Sequence, residues 1–203
     1  MGRRKTYDRD VLISKSMEIF RDYGFAGTST QMLVEELGVN RYSLYAEFGS
    51  KQALFDAALG RYDDEVVERN FGPLQAPNAG AAEIVALFEF FAKASTGPAA
   101  GRGCLLCNTA VEFGPTDPSG SEFVARYFAR ISSAFTQALG NAKETGDLKG
   151  SVDVAKESSF FTAAVLGLFV MIRAVAPAKV VKNASGVAMQ HLESLKVRSS
   201  YPG

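Results

Sequence analysis

Residues 38–59, GVNRYSLYAEFGSKQALFDAAL, decide how the rest of the chain is read. Gly38 stops one short apolar-periodic segment, and Asn40 and Ser50 each stand one residue ahead of another. Both are good helix caps, so the spacing predicts a short helix over residues 41–47 and a further helix starting at Lys51. Leu44 and Phe48, four residues apart, fall on one face and anchor the first of these to a core. Arg41, Tyr42, Ser43 and Tyr45 are left with polar tips that can reach bases or phosphates.

Upstream, Asp8 is placed to cap a helix whose apolar stripe is Leu12, Ile13, Met17, Ile19 and Phe20, with Gly24 as its C-terminal stop. Thr28 stands three residues before Gln31, a capping-box spacing, and a second helix would follow with Met32, Leu33, Val34 and Leu37 inward. Two short helices joined at Gly38, with a helix before them, describe a helix-turn-helix whose second helix is the recognition helix. The same pieces also suit a small helical bundle with no nucleic-acid role.

Beyond residue 60 strand signals are scarce, and helical periodicity is interrupted by Gly/Pro-rich punctuation at residues 71–80, 95–103, 114–120 and 146–151 and at Pro177. About nine helices result. The expected class is all-α, with a helix-turn-helix domain over residues 1–55 and a second, helical domain over residues 56–203. A chain of 203 residues that is 47% hydrophobic can bury a sizeable core. Its 22 basic and 22 acidic side chains cancel, which argues against binding nucleic acid or membrane by bulk charge. One histidine and two cysteines exclude a His-rich metal site and a disulfide framework, so neither metal nor cofactor is expected. No signal peptide is visible. The longest apolar run, residues 160–172, is shorter than a membrane span, and the expected location is cytoplasmic.

Leu12-Ile13, Ile19-Phe20, Gly24-Phe25, Thr28-Ser29-Thr30, Leu37-Gly38-Val39, Ser43-Leu44-Tyr45, Phe48, Ser50-Lys51 and Leu54-Phe55 together carry a resemblance. Residues 9–59 resemble the DNA-binding domain of the TetR family of bacterial one-component regulators, and the resemblance implies that residues 56–203 are that family's helical ligand-binding and dimerisation domain. The resemblance implies that Tyr45 and Lys51 contact phosphates, that Thr28 and Thr30 contact phosphate or the groove edge, and that Arg41, Tyr42 and Ser43 face the major groove. Arg3, Arg4 and Lys5 would form an arm along the DNA backbone or minor groove, or a solvated terminus. Three positions depart from the pattern. Tyr42 stands where glycine is frequent, Glu47 where an aromatic residue or histidine is common, and Lys15-Ser16 replaces an alanine pair.

Cys104 and Cys107 form a Cys-x-x-Cys unit. A thiol oxidoreductase would need a thioredoxin-like setting, and a zinc site two more ligands; neither is visible. Buried cysteines also serve as small hydrophobes. A helix starting near Arg102 would put Cys104 in its first turn, where a thiolate is favoured. Family members with a similar Gly-Cys-Leu element respond to electrophiles or oxidants, or bind small metabolites, which makes Cys104 and Cys107 candidate sensors.

Ordinary core packing accounts for most of the 15 phenylalanines. A pocket between helices would be lined by Phe88, Phe91, Cys104, Asn108, Glu112, Tyr127 and Phe161, with Arg130 a further polar candidate. The helix over residues 158–175 is apolar nearly all round and calls for burial on more than one side. The next helix aligns Val180, Ala184, Val187, Ala188, His191 and Leu195. These two resemble the helices that make a four-helix dimer interface in TetR-type proteins. The expected function is therefore a ligand-responsive homodimeric repressor, bound to a near-palindromic DNA operator and released by a small-molecule effector or thiol-reactive compound. A thiol oxidoreductase, or a helical ligand-binding protein without DNA binding, is the alternative. The zero net charge hides a separation: residues 1–9 carry four cations against one acid, and residues 56–70 five acids against two cations.

Overall fold

The computed structural model describes residues 7–114 and 120–197. Arg3, Arg4 and Lys5 lie outside them. Among the described residues there is no strand, only one isolated antiparallel bridge between Leu148 and Lys196. The helices are α1 (Arg9–Gly27), α2 (Thr30–Leu37), α3 (Arg41–Phe48), α4 (Lys51–Tyr62), α5 (Glu68–Phe71), α6 (Ala81–Ala94), α7 (Leu105–Phe113), α8 (Ser121–Glu144), α9 (Val154–Arg173) and α10 (Ala178–Leu195). Nine of these exceed seven residues; α5 is a single turn, preceded by a π-helical turn over Asp63–Val67. The all-α expectation holds.

The chain divides into two compact units. The first joins residues 1–66 to residues 104–125, so α7, from the middle of the chain, belongs with α1–α4. Its caps follow the sequence signals closely. Asp8 accepts from the Asp10 N–H, Asn40 from Ser43 (2.8 Å) and Ser50 from Ala53 (3.0 Å). Gly38 closes α2 at φ 67°, a left-handed position where glycine carries no Cβ penalty. One cap differs from expectation: Ser29, not Thr28, accepts from Met32 N–H and starts α2. Thr28 is fully buried, and its hydroxyl donates back to Gly24 O at 2.6 Å. Gly24 breaks α1 as expected (φ 73°, ψ 179°), but another helical turn follows to Gly27. The core of this unit is Leu12, Phe20, Leu33, Leu37, Leu54, Phe55 and Leu59, with the Phe20, Phe25, Phe55 and Phe113 rings 4.9–6.3 Å apart where they adjoin.

The second unit joins residues 67–103 to residues 126–203. In it α6 lies against α10 and α9. Phe88, Phe135 and Phe161 form a closed ring cluster, with centroids 5.7–6.4 Å apart. The side-chain amides of Gln137 and Asn141 on α8 donate to the Gln75, Ala76, Pro77 and Ala79 carbonyls and so fix the turn before α6.

By length and composition alone α9 could cross a membrane. It instead buries one stripe, Phe161, Val165, Leu168, Phe169 and Ile172, and leaves Phe160, Ala163 and Val170 exposed. On α10 the stripe that packs within the chain is a different one from the interface stripe expected from the sequence. Val181, Ser185, Ala188 and Leu192 face inward, while Val180 and Val187 are 47% and 61% exposed.

Candidate nucleic-acid interface

The Gly38 turn sets α3 against α2, with Leu44 and Phe48 as its buried anchors. The opposite face carries Arg41 and Tyr42, both exposed, and Tyr42 is 84% open to solvent. Ser43 and Tyr45 are half-buried at its edge. Thr30 on α2 and Tyr45 on α3 meet through their hydroxyls at 2.8 Å, and the Arg41 guanidinium lies 5.6 Å from the Tyr45 ring centre. Arg41, Tyr42, Ser43, Tyr45 and Thr30 thus gather around one exposed helix.

Two predicted contacts are occupied differently. Thr28 has no accessible surface, so its hydroxyl cannot meet a phosphate in this conformation; that expectation is corrected to a structural role. Lys51 donates to the Phe25 and Thr28 carbonyls at 2.8 Å each, and its ammonium lies 4.0 Å from the Phe25 ring centre. An ammonium has three donors, so one remains beyond these two bonds.

Sequence reasoning places Glu112 in a ligand pocket. In the structure its carboxylate accepts from the Phe25 N–H (3.0 Å) and the Ala26 N–H (2.6 Å). Those are donors freed where Gly24 breaks α1, and a carboxylate there acts as a helix N-cap. A Cβ added at Gly24 would sit 2.8 Å from Glu112 Oε2, so the carboxylate approaches through the space glycine leaves. The 24–28 segment, which leads into the helix-turn-helix, is therefore held by an acid from α7 and a base from α4. No local sequence signal joins positions 86 and 87 residues apart.

α7 starts three residues later than the start near Arg102 expected from the sequence, so Cys104 is its N-cap residue and not part of its first turn, and Cys107 lies one turn on. Both are buried free thiols. Tyr62 hydrogen-bonds Cys104, and burial first, then the Cys104 thiol, pushes its phenol well above the usual range, against the pull of Arg21. Burial and the neighbouring Cys104 push Cys107 up to about 12.

The other predicted lining residues divide between the units. Asn108 and Glu112 belong to the first with the cysteines, and Phe88, Phe91, Tyr127 and Phe161 to the second, where all four are buried. Arg130 is ion-paired with Glu68. A groove of about 480 Å³ in the second unit is lined instead by residues that include Arg69, Leu74, Glu83, Leu87 and Phe90.

Comparison with known proteins agrees with this architecture. Residues 12–58 match the family model for bacterial regulatory proteins of the tetR family. Residues 80–187 match the tetracyclin repressor-like C-terminal domain model. An uncharacterised HTH-type transcriptional regulator of Bacillus subtilis, YezE, is 32% identical over 83% of this chain and 87% of its own. The HTH-type transcriptional repressor ComR of Escherichia coli is 26% identical over 93% of this chain and 90% of its own. Among solved structures, a cysteine-substituted CifR complexed with a 26-bp operator duplex superposes with a TM-score of 0.82, at 23% identity over 93% of this chain and 98% of that one.

Proposed function

The chain belongs to the TetR family of bacterial transcriptional regulators, and we propose that it acts as a homodimeric repressor that an effector releases from its operator. It is a ligand-responsive DNA-binding regulator; the division of labour between residues 1–55 and residues 56–203, the dimer, the effector chemistry and a cytoplasmic location are parts of this proposal. The observation that carries it is the exposed face of α3, with Arg41 and Tyr42 outward and Leu44 and Phe48 locked beneath. Such a helix enters a major groove, and a dimer presents two of them to a near-palindromic site.

In this reading Arg41, Tyr42 and Ser43 read base edges. Tyr45, Thr30 and the third donor of Lys51 meet phosphates. Support for the dimer comes from the exposed apolar residues of α9 and α10, Phe160, Val170, Val180 and Val187. An effector entering among Phe88, Phe91, Tyr127 and Phe161 would have to part rings that are packed together here. A thiol-reactive effector would act at Cys104, the N-cap residue of α7, because a helix N-terminus favours a thiolate. The coupling is reciprocal: an effector that weakens DNA binding must itself bind the DNA complex more weakly.

A gel shift with the DNA upstream of its own coding region tests the reading. Arg41→Ala is expected to relax discrimination at one base pair, by about 1–3 kcal/mol for a bidentate contact. Lys51→Ala is expected to weaken all sequences alike. Equal losses on specific and random DNA for Arg41→Ala would remove its base-reading role. Cys104→Ser should abolish release of DNA by N-ethylmaleimide, and unchanged release would end the thiol reading.

A further inference from the structure

From the break at Gly24 the chain runs through residues 24–28 before Ser29 caps α2. The backbone of this segment is held by side chains from far along the sequence. Glu112 on α7 is bidentate, with Oε2 accepting from the Phe25 N–H and Oε1 from the Ala26 N–H. Lys51, at the start of α4, donates to the Phe25 and Thr28 carbonyls. An anion on amide protons and a cation on carbonyl oxygens both suit the peptide dipole, and such charge-assisted bonds are roughly twice as strong as neutral ones. The next residue of α7, Phe113, sets its ring 5.4 Å from Phe25 and 5.8 Å from Phe55. The end of α7 thus grips the segment twice, by a carboxylate on its backbone and by a ring on its side chain.

The gripped segment leads straight into the surface assigned to DNA. Thr30 opens α2 two residues later, and its hydroxyl meets that of Tyr45 on α3. All of these residues belong to the first unit. A phosphate attracts a cation over several ångströms, so backbone contacts survive a small displacement of the head. Base-edge hydrogen bonds do not, because they weaken steeply with distance and angle. Loosening residues 24–28 therefore costs discrimination before it costs attraction.

We propose that Glu112 is a positioning residue for operator recognition. It acts through the Phe25 and Ala26 amides, which set where α2 begins and so where α3 presents Arg41, Tyr42 and Ser43. Glu112 stands well outside residues 9–59, so the reading head is complete only with α7 docked on it. The proposal rests on the DNA-binding reading above. Glu112 is exposed, and an acid on a head that binds a polyanion is unfavourable by charge alone. Its value lies in its geometry.

The test compares two duplexes by fluorescence anisotropy at physiological salt: one that the native chain selects from a random-sequence pool, and a random duplex of equal length. The proteins are the native chain, Glu112→Gln and Glu112→Asp, each held at a temperature where circular dichroism shows its full helix content. Glu112→Gln keeps the length and removes the charge; Glu112→Asp keeps the charge and draws the carboxylate back by one C–C bond. Each is expected to lower the preference for the selected duplex about tenfold, the size of one charge-assisted hydrogen bond. Affinity for the random duplex should stay within about twofold.

Tighter binding of both duplexes by Glu112→Gln, with Glu112→Asp like the native chain, would mark an acid felt only through its charge and overturn the proposal. An unchanged preference in both folded variants would mark a cap that serves stability alone, and overturns it equally. Glu112→Asp carries the test should Glu112→Gln fail to fold. No duplex selected by the native chain would overturn the DNA-binding reading and this proposal together, whereas selection by the native chain with the same preference in the variants overturns this proposal alone.

Discussion

Ser16 shows how a single atom group can be set against its surroundings. It stands where the family pattern has alanine, it is fully buried on α1, and its hydroxyl has no hydrogen-bond partner. A buried hydroxyl without a partner costs about 1–3 kcal/mol, and alanine is the better helix former. Ser16→Ala should therefore raise stability by about 1 kcal/mol in urea unfolding; a lower midpoint would show that the hydroxyl is satisfied in solution. Cys107 makes a pH-dependent case. Its folded pKa, up to about 12 from an ordinary value near 9, means the unfolded chain loses this proton first as pH rises. Stability linked to Cys107 is complete below about pH 9 and is lost between about pH 9 and 12, since there the folded state binds more protons. Thermal melts should fall more steeply over that window for the native chain than for Cys107→Ala. Parallel curves would contradict the shift.

Helices bring the local rules into view and also their limit. Asp8, Asn40 and Ser50 are legible as caps because a cap joins a side chain to a backbone N–H two or three residues away. Thr28 and Ser29 offer two adjacent hydroxyls, and the choice goes to Ser29 because Thr28 is drawn inward to Gly24 O. On α10 the residues buried within the chain, Val181, Ser185, Ala188 and Leu192, lie beside the stripe that the sequence assigns to an interface, since a helix with small residues at Ala184, Ser185, Gly186 and Ala188 can pack on either face. What α7 does is not legible at all: periodicity marks a helix, but not which helix receives its carboxylate. Glu112→Ala should cost about 1–2 kcal/mol, the range for losing an N-cap, and speed hydrogen exchange at the Phe25 and Ala26 amides. Unchanged protection of those two amides would contradict the clamp.

The whole molecule returns to the charge arithmetic. Zero net charge by itself counts against a nucleic-acid partner, and the exposed polar face of α3 offers a few placed groups in place of bulk charge. Non-specific retention of DNA at physiological salt should accordingly be weak. The candidate reading surface is largely legible, since Arg41, Tyr42, Ser43 and Tyr45 lie on the helix the spacing predicts; Thr28 is not, because burial is a property of the assembled unit. At this scale the exposed apolar residues of α9 and α10 also ask for a partner. Val187→Lys should shift the light-scattering mass toward the monomer at micromolar concentration without lowering helix content. An unaltered dimer would place the interface elsewhere.

The membership of α7 in the first unit bears on modularity. Regulators of two parts invite grafting, in which one protein's reading head is joined to another's sensor at a single cut. Here a cut at residue 55 or 66 leaves behind Glu112, Phe113 and the buried thiols, and with them the wall against which Phe25 and Phe55 rest. A graft that preserves this head has to carry two separate stretches of sequence. Recombination between relatives that moves only the first stretch would be expected to yield heads whose Gly24 turn has lost its acid.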